Sequence, residues 1–237
     1  MADNVLLEVR DIQTFIGQFH ILQGVSLTAP EGTVTAVLGR NGAGKTTTLK
    51  SILGLTPPRH GKVTFAGEEI QGRPTYEIAS MGIGYVPEHR AIFTHLSVAE
   101  NLKIAERKRG DLNRKADFIF SLFPDLKRLY RLPGGHLSGG QQQMLAIARA
   151  LVPDNRLLLI DEPSEGLAPI LIQELMEAIR QLSARVTVLL VEQNFQMASR
   201  LATNCVIIDD GRSVRSGAMA DLLREPETIR RYLGATV

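Results

Sequence analysis

The sequence predicts an α/β fold in which strands alternate with helices and a mostly parallel sheet is covered on both faces. Short runs rich in β-branched residues recur between longer stretches with helical spacing, as expected for successive βαβ units. The run at 157–160 is entirely apolar, which is typical of a strand buried on both faces of a parallel sheet. The length of 237 residues fits one large domain with a substantial core.

In the first half of the chain, glycines and prolines separate short strands from one helix. The helix is predicted over 45–53, and Gly54 ends it before two prolines, Pro57 and Pro58. The predicted strands, together with one hairpin-like stretch at 62–70, lie at 6–12, 25–27, 34–38 and 83–86.

The second half begins with a change in composition. Residues 98–132 are rich in Leu, Ala, Lys and Arg and poor in glycine, so we expect a helical insertion in the sheet-based domain. After it the alternation resumes, and the predicted helices cover 139–152, 169–183 and a segment that ends at 202. The predicted strands of this half lie at 157–160, 186–191 and 206–208.

The composition is that of a globular protein with a nearly balanced charge. Hydrophobic residues make up 44% of the chain, which excludes an intrinsically disordered protein. The 27 Lys and Arg residues exceed the 25 Asp and Glu residues by only two, so the net charge does not indicate nucleic-acid binding. Cys205 is the single cysteine, which excludes an internal disulfide. With no signal peptide and no membrane-length apolar run, we expect a soluble, intracellular protein.

A glycine-rich segment between the strand at 34–38 and the first helix has the pattern of a phosphate-binding loop. Residues 39–46 fit G-x-x-x-x-G-K-[ST]. Glycines let successive N–H groups point at phosphate oxygens, and the following helix adds its positive N-terminal end. Lys45 is expected to neutralise the β- and γ-phosphates, and the Thr46 hydroxyl to ligate Mg²⁺. The candidate nucleotide-binding residues are Gly39, Asn41, Gly42, Ala43, Gly44, Lys45, Thr46 and Thr47.

The alternative is a glycine-rich turn that binds nothing. A chance match to this pattern in a chain of this length has a frequency of about one in a hundred, and the strand–loop–helix context lowers it further. Nucleotide binding is therefore the favoured interpretation. The loop by itself still fits kinases, GTPases, helicases and transport ATPases.

Two acids follow the apolar strand at 157–160. Asp161 is placed to hold Mg²⁺ through its water shell, and Glu162 to polarise the water that attacks the γ-phosphate. Taken alone, an Asp-Glu pair at a strand end is better explained as a solvated turn. Together with the phosphate loop, the pair predicts the catalytic half of a nucleotide-hydrolysing site.

A second segment, which reads Leu-Ser-Gly-Gly-Gln at 137–141, also precedes a predicted helix. It combines small residues, N–H groups at a helix N-terminus and a serine hydroxyl, so it is a second candidate for anion binding. One γ-phosphate does not need two such sites. We therefore expect the second to bind a nucleotide held by another chain, in a head-to-tail dimer with ATP between the subunits. The candidate residues are Ser138, Gly139, Gly140 and Gln141.

These motifs occur in this order along the chain, together with Ser-Glu-Gly-Leu at 164–167. On these residues the sequence resembles the nucleotide-binding subunit of an ABC transporter over essentially its whole length. The resemblance implies a P-loop NTPase core of the ABC ATPase type with an antiparallel β subdomain and a helical subdomain, and ATP and Mg²⁺ as cofactors. Residues 1–237 would form a single domain, with the core at 1–89 and 136–237 and the helical subdomain at about 90–135. Residues 164–167 would lie at the dimer interface.

Two positions depart from the family's usual pattern. Glu88 stands where the family usually has Gln after Val-Pro, and Gln193 where it usually has a switch His. Glu88 can still accept hydrogen bonds or approach the metal, and Gln193 can donate to the γ-phosphate but cannot titrate near neutral pH. The alternative is a degenerate, inactive site. The presence of Lys45, Asp161 and Glu162 favours an active one.

These departures, with residues 85–101, 191–194 and 232–234, resemble one branch of the family, the ATP-binding subunits of branched-chain amino acid importers. The resemblance implies a peripheral protein at the cytoplasmic face of the inner membrane. Its partners would be integral membrane permease subunits, a second ABC ATPase subunit in a homo- or heterodimer and, indirectly, a solute-binding protein, with no nucleic acid. The alternatives are a urea or amide importer, a non-transport ABC ATPase and a non-catalytic regulatory module.

The family normally stacks the adenine on an aromatic ring ahead of the phosphate loop. Phe15 is the candidate here, and Ile16 occupies the neighbouring position. A Phe face provides about 1 kcal/mol of stacking without a hydrogen bond, so we expect weak selectivity among bases. On burial tendency alone, Phe15 is equally well explained as an ordinary core residue.

Overall fold

The computed structural model describes residues 4–235, which contain two β-sheets. The strands are β1 Val5–Ile16, β2 Phe19–Pro30, β3 Val34–Leu38, β4 His60–Phe65, β5 Glu68–Glu69, β6 Ile83–Val86, β7 Leu157–Asp161, β8 Thr187–Glu192, β9 Asn204–Asp209 and β10 Arg212–Ala218. The antiparallel sheet has the order β2-β1-β4-β5, and the larger, mainly parallel sheet has the order β10-β9-β3-β8-β7-β6.

The helices flank the sheets and fill the stretch between β6 and β7. They are α1 Lys45–Ile52, α2 Thr75–Ser80, α3 Val98–Lys103, α4 Asp111–Leu122, α5 Pro124–Arg128, α6 Gly139–Leu151, α7 Pro169–Ser183, α8 Phe195–Leu201, α9 Met219–Leu222 and α10 Pro226–Leu233. Within residues 4–235, no helix has both the length and the apolar character that a membrane crossing requires.

The larger sheet is covered on both faces, as the alternation of elements predicts. Along β7, Leu158 and Ile160 pack into a cluster with α6 and α7, while Leu157 and Leu159 pack into a second cluster with α1 and the antiparallel sheet. Strands buried on both sides have apolar sequences throughout, which is why they stand out in the chain. The predicted bounds of β6 and α7 are confirmed residue by residue.

The antiparallel hairpin of β1 and β2 is longer than predicted. Each strand runs for 12 residues, whereas the sequence predicted only 6–12 and 25–27. A register shift between Val9 and Ile12, with Asp11 at a φ of 48°, breaks the alternation of buried and exposed residues that would have revealed the full strands. The edge strand β10 and the short helices α2, α9 and α10 were not predicted either, since they have few buried residues.

The expected helical insertion consists of three separate helices, α3 to α5. Leu102, Ile119 and Leu126 on these helices belong to the same hydrophobic cluster as α6 and α7. The insertion therefore shares its core with the parallel sheet. All three helices fall within 90–135, and the division of the chain into a core and a helical subdomain stays a prediction.

Candidate active site

The predicted catalytic residues meet at the carboxyl-terminal edge of the parallel sheet. The phosphate loop follows β3, the acidic pair ends β7, and Gln193 follows β8. These strands are neighbours in the order β3-β8-β7 and pair in parallel. The carboxyl ends of adjacent parallel strands lie at one edge, which is where open α/β sheets bind their ligands.

Close packing around the phosphate loop requires two of its glycines. A Cβ on Gly39 would lie 2.3 Å from the Ile208 carbonyl oxygen, and a Cβ on Gly44 would lie 2.7 Å from Leu22 Cδ2. Their φ angles are 153° and 106°, a region that residues with a side chain rarely adopt. Gly44 is the N-cap of α1 and supplies no side-chain cap, so among the described residues no cap competes with a ligand for the first N–H groups of α1.

Lys45 connects the phosphate loop to the acidic pair. Its side chain is only 4% exposed, and its Nζ lies 2.9 Å from Glu162 Oε1. The same Nζ donates a hydrogen bond of 3.1 Å to the Arg40 carbonyl oxygen within the loop. The ammonium group is thus held between the loop and the acidic residue predicted to act on water.

Asp161 is buried and accepts two hydroxyl hydrogen bonds. Thr46 Oγ1 donates to one carboxylate oxygen over 3.0 Å, and the Tyr85 hydroxyl donates to the other over 3.2 Å. Burial raises the pKa of Asp161, and the negative charges of Glu162 and Glu88 raise it further against the effect of the two hydrogen bonds. Burial, followed by the charge of Asp161, also raises the pKa of Tyr85.

Glu162 stands in an unusual backbone conformation. Its φ of 43° lies in the left-handed region, which costs a residue with a side chain on the order of 1 kcal/mol or more. Its N–H donates to the Val191 carbonyl oxygen over 2.9 Å, so β8 holds the turn in place. The strain is therefore located at the residue that the sequence predicts to align water.

Gln193 lies beside Glu162 in a small cleft of about 280 Å³, whose lining is Glu162, Ser164, Glu165, Glu192, Gln193 and Asn194. Glu192 fixes the walls of this cleft. Its carboxylate, 1% exposed, accepts hydrogen bonds from the Ser164 hydroxyl over 2.9 Å and from the Ser164 and Asn194 N–H groups, each over 3.1 Å. Burial raises the pKa of Glu192. This carboxylate joins the loop after the acidic pair to the segment that carries Gln193.

The second predicted anion site lies at the N-terminus of α6. Ser138 is the N-cap, and a capping box joins it to Gln141, which also donates to Asp125 on α5 over 3.2 Å. A Cβ on Gly140 would lie 2.5 Å from Leu171 Cδ1, so α7 packs closely here. The helices α3–α6 follow β6 in the chain. In the larger sheet β6 lies three strands from β3, the strand that precedes the phosphate loop, so β6 and β3 are about 14 Å apart at the usual strand spacing.

The other predicted residues are placed as follows. Ala43 is buried, Thr46 and Thr47 are half-buried, and Asn41 and Gly42 are exposed on the loop. Glu88 is half-buried and close enough to Asp161 for its charge to affect that pKa. Phe15 is half-buried in β1, where its ring stacks on His20 and lies below the Arg59 guanidinium.

Sequence reasoning missed three residues of this site. Tyr85 lies within one mainly apolar strand and Glu192 ends another, and these polar positions were the available signal for both. Arg40, an unspecified position of the loop pattern, donates from Nη2 to the Arg231 carbonyl oxygen near the end of α10 over 3.0 Å. No local signal predicts that contact, because 191 residues separate its two partners.

The arrangement fits ATP and Mg²⁺. The phosphate loop offers N–H groups at glycines where side chains would clash, and a buried cation lies next to them. Thr46 Oγ1 and the carboxylate of Asp161 are adjacent hard oxygen ligands of the type that Mg²⁺ prefers.

Comparison with known proteins gives the family. The family model described as ABC transporter matches residues 22–165, which span the phosphate loop, the Ser138 segment and the acidic pair. The branched-chain amino acid transport ATP-binding protein BraG of Pseudomonas aeruginosa is 40% identical over 97% of this chain and 100% of its own length. A probable branched-chain amino acid transport ATP-binding protein, LivF of Archaeoglobus fulgidus, is 36% identical over 92% of this chain and 94% of its own.

More distant relatives have other roles. The lipopolysaccharide export system ATP-binding protein LptB of Escherichia coli is 32% identical over 91% of both chains.

Among solved structures, a nucleotide-free ATP-binding cassette from an ABC transporter superposes with a TM-score of 0.83, at 26% identity over 95% of this chain and 97% of its own. The ADP conformation of an ATP-binding cassette of an ABC transporter also superposes with a TM-score of 0.83, at 25% identity over 98% of this chain and 99% of its own.

The chain belongs to the ABC transporter ATP-binding family. Its fold is that of the ABC ATPases, and it is an ATPase. The sequence-based identification of the family and of the fold class is thereby confirmed.

Proposed function

We propose that this chain is the ATP-hydrolysing subunit of an ABC importer for branched-chain or other hydrophobic amino acids, and that it dimerises around two Mg-ATP molecules. The observation that carries the proposal is the linked set of Lys45, Glu162, Thr46 and Asp161 at the edge of the sheet. It supplies a cation for phosphates, a pair of oxygens for a metal and a carboxylate for water. The similarity to BraG and LivF supports the amino-acid cargo.

In the proposed reaction, the γ-phosphate of ATP competes with Glu162 for the ammonium group of Lys45. Lys45 then neutralises the phosphate charge, and Glu162 is released to align the attacking water and accept its proton. The water oxygen bonds to the γ-phosphorus as the bond from that phosphorus to the β–γ bridging oxygen breaks, so that ADP and phosphate are the products. Mg²⁺, bound by Thr46 and by Asp161 through water, would supply charge neutralisation at the β- and γ-oxygens. The strained turn at Glu162 favours one direction for its carboxylate, since β8 fixes the backbone.

Gln193 would respond to the presence of a γ-phosphate. It lies in the same cleft as Glu162, and its amide can donate to a phosphate oxygen. Glu192 links this segment to Ser164, the start of the loop that we assign to the dimer interface. A movement of Gln193 toward the γ-phosphate would therefore shift Ser164 at that interface, and hydrolysis of ATP would reverse the movement.

The α6 N-terminus supports the dimer. Its N–H groups and the Ser138 hydroxyl suit a phosphate, while its immediate neighbours Asp125, Arg90 and Leu171 are not residues of the phosphate loop. Two chains arranged head to tail would place each α6 N-terminus against the other chain's phosphate loop.

A groove of about 440 Å³ supports docking of a membrane subunit. Its lining combines apolar residues with three arginines and includes Leu55, Ala79, Tyr85, Pro87, Ala105, Arg90, Arg107 and Arg149. Leu55 is half exposed there. Tyr85 lines this groove and also donates to Asp161, so a partner seated in the groove would be connected to the proposed metal site through Tyr85. Peripheral association with the inner membrane through permease subunits follows from this docking.

The test uses the Glu162→Gln variant with Mg-ATP. We expect turnover to fall at least a hundredfold while ATP stays bound and the protein elutes as a dimer. Glu68→Gln, which alters an exposed carboxylate on the edge strand β5, is the matched control and should hydrolyse ATP normally. A Glu162→Gln protein that remains monomeric at saturating Mg-ATP would contradict the shared site. Leucine uptake by vesicles containing the cognate permease and this ATPase tests the cargo, with lipopolysaccharide export and urea or amide uptake as the competing outcomes.

A further inference from the structure

The cleft between the phosphate loop and α10 is strongly basic. Its volume is about 670 Å³, and its lining includes the loop residue Arg40 and several residues of α10. Four arginines face a single carboxylate in this lining: Arg40, Arg215, Arg230 and Arg231 against Glu227. We refer to the four arginines as the basic cluster.

The basic cluster begins at the phosphate loop itself. The Arg40 carbonyl oxygen accepts from Lys45 Nζ over 3.1 Å, while the Arg40 guanidinium donates to the Arg231 carbonyl oxygen over 3.0 Å. One arginine side chain therefore spans the distance from the expected phosphate position to the end of α10. Arg40 and Arg231 are exposed, and neither makes an ion pair within residues 4–235.

The cavity beside the α6 N-terminus carries the opposite charge. Its volume is about 570 Å³, and Ser138 and Gly140 line it together with residues of α5 and α7. Three carboxylates lie in its described lining, which contains no lysine or arginine: Asp125, Glu174 and Glu177. We refer to these three residues as the acidic rim.

Glu174 is the member of the acidic rim whose charge is unpaired. Asp125 and Glu177 each form an ion pair with an arginine one helical turn away, at 3.0 Å and 2.7 Å. Glu174 is exposed and makes no ion pair in the part of the chain that the structure describes. It follows Leu171, which packs against Gly140, by three residues, so it lies about 4.5 Å further along α7 from the α6 N-terminus.

We propose that the basic cluster of one protomer binds the acidic rim of a second copy of this chain, with Arg231 facing the partner subunit's Glu174. This inference rests on the proposed function, because the head-to-tail dimer brings each phosphate loop against the other chain's α6 N-terminus. The basic cluster flanks the first of these sites and the acidic rim flanks the second, so the same arrangement brings them together. The two-fold symmetry of the dimer forms the contact twice.

Charge complementarity and continuity with the proposed interface favour a second copy as the occupant of both surfaces. Each surface alone could attract a small ion of the opposite charge. Their positions beside the two halves of one shared nucleotide site instead match them to each other. Opposite charges at the edge of an interface accelerate association and favour one orientation of the partners. The helix α10, which takes no part in the proposed hydrolysis, thereby contributes to recognition of the partner.

The experiment measures dimerisation by sedimentation velocity at saturating Mg-ATP, with Glu162→Gln as the parent protein. Arg231→Glu and Glu174→Arg each place like charges opposite one another in both copies of the contact. Each should raise the dissociation constant of the dimer about tenfold. The hydrogen bond from Arg40 is retained in Arg231→Glu, because it ends on the backbone carbonyl oxygen. The two substitutions together exchange the charges and should return the constant to within about threefold of the parent.

Arg224→Glu is the matched control. Arg224 is an exposed arginine between α9 and α10 that does not line the basic cleft, so its reversal should leave the dissociation constant unchanged.

Other outcomes overturn the inference. A dissociation constant that either single substitution leaves unchanged would show that its side chain does not meet the partner. A combined variant that dimerises no more tightly than the single variants would assign Arg231 and Glu174 separate local effects. Both results would leave the dimer and the proposed function in place. A parent protein that stays monomeric would overturn the proposed function together with this inference.

Discussion

The molecule has two helix N-termini suited to phosphate, and they are built differently. At α1 the N-cap is Gly44, which brings no side chain, and the adjacent Lys45 ties the loop to the acids of β7. At α6 the N-cap is Ser138, whose hydroxyl accepts from the Gln141 N–H in a capping box. The first site is joined to groups of its own chain that are predicted to be catalytic. The second is positioned by α5 and α7 and has no comparable catalytic pair among its described contacts.

This difference indicates a division of labour. In the proposed mechanism the α1 site binds and hydrolyses ATP, because a cation, a pair of oxygens suited to a metal and a carboxylate converge on it. The α6 site contributes N–H groups and a hydroxyl, which can stabilise a phosphate but cannot activate water. Variants at the two sites should therefore affect binding and turnover in different proportions.

The largest effect is expected from Lys45→Ala. Loss of the buried ammonium group removes the main positive charge at the phosphates, so phosphate release should fall by a factor of about 100 or more, and ATP binding should weaken as well. Lys50→Ala changes an exposed lysine on the same helix and should leave both unchanged. Phosphate release at the wild-type rate by Lys45→Ala would place hydrolysis elsewhere.

Asp161→Asn should separate catalysis from stability at the α1 site. Turnover should fall about a hundredfold, because the metal-binding charge is lost. The folded-state pKa of Asp161 is raised, so the charged carboxylate opposes folding at neutral pH, and this opposition disappears as pH falls below the ordinary pKa near 4. We expect Asp161→Asn to be more stable than the wild type at pH 7, with the difference in urea unfolding disappearing at about pH 3, below the ordinary pKa of the carboxyl group. A variant less stable at pH 7 would contradict this.

Gly140→Val tests the α6 site. A side chain here meets Leu171 on α7 and shifts the N-terminus of α6. We expect turnover to fall about tenfold while the monomer binds ATP within twofold of the wild type, since its own phosphate loop is intact. Titration with ATP measures the affinity, and the rate of phosphate release measures turnover. Equal losses of ATP affinity and of turnover would mean that the α6 site binds the nucleotide of its own chain.

The smallest effect is expected from Ser138→Ala, which removes an N-cap. The free energy of unfolding should fall by about 1 kcal/mol, with a loss of turnover in addition. Ser97→Ala is a matched control, because Ser97 caps α3 with the same kind of capping box. It should lose similar stability and keep its turnover. Equal turnover in the two variants would assign Ser138 a structural role alone.

The sequence predicted the parts of the site that lie within a few residues of each other. The glycines, Lys45 and Thr46 follow a single strand, and Asp161 and Glu162 end another. Their types and spacing reflect chemistry that local backbone geometry can satisfy. The sequence did not predict the Glu192 contacts with Ser164, 28 residues away, or the hydroxyl of Tyr85 on Asp161, 76 residues away. Such contacts depend on which strands become neighbours.

The sequence by itself determined the family, the phosphate loop and the buried parallel strands, because apolar runs and glycine positions are set locally by burial and backbone sterics. Only the tertiary structure decided which faces of Phe15 are covered and which segment supports the α6 N-terminus. Both depend on the strand order β2-β1-β4 and on helix packing. These bring together residues far apart in the chain, and no local pattern encodes them.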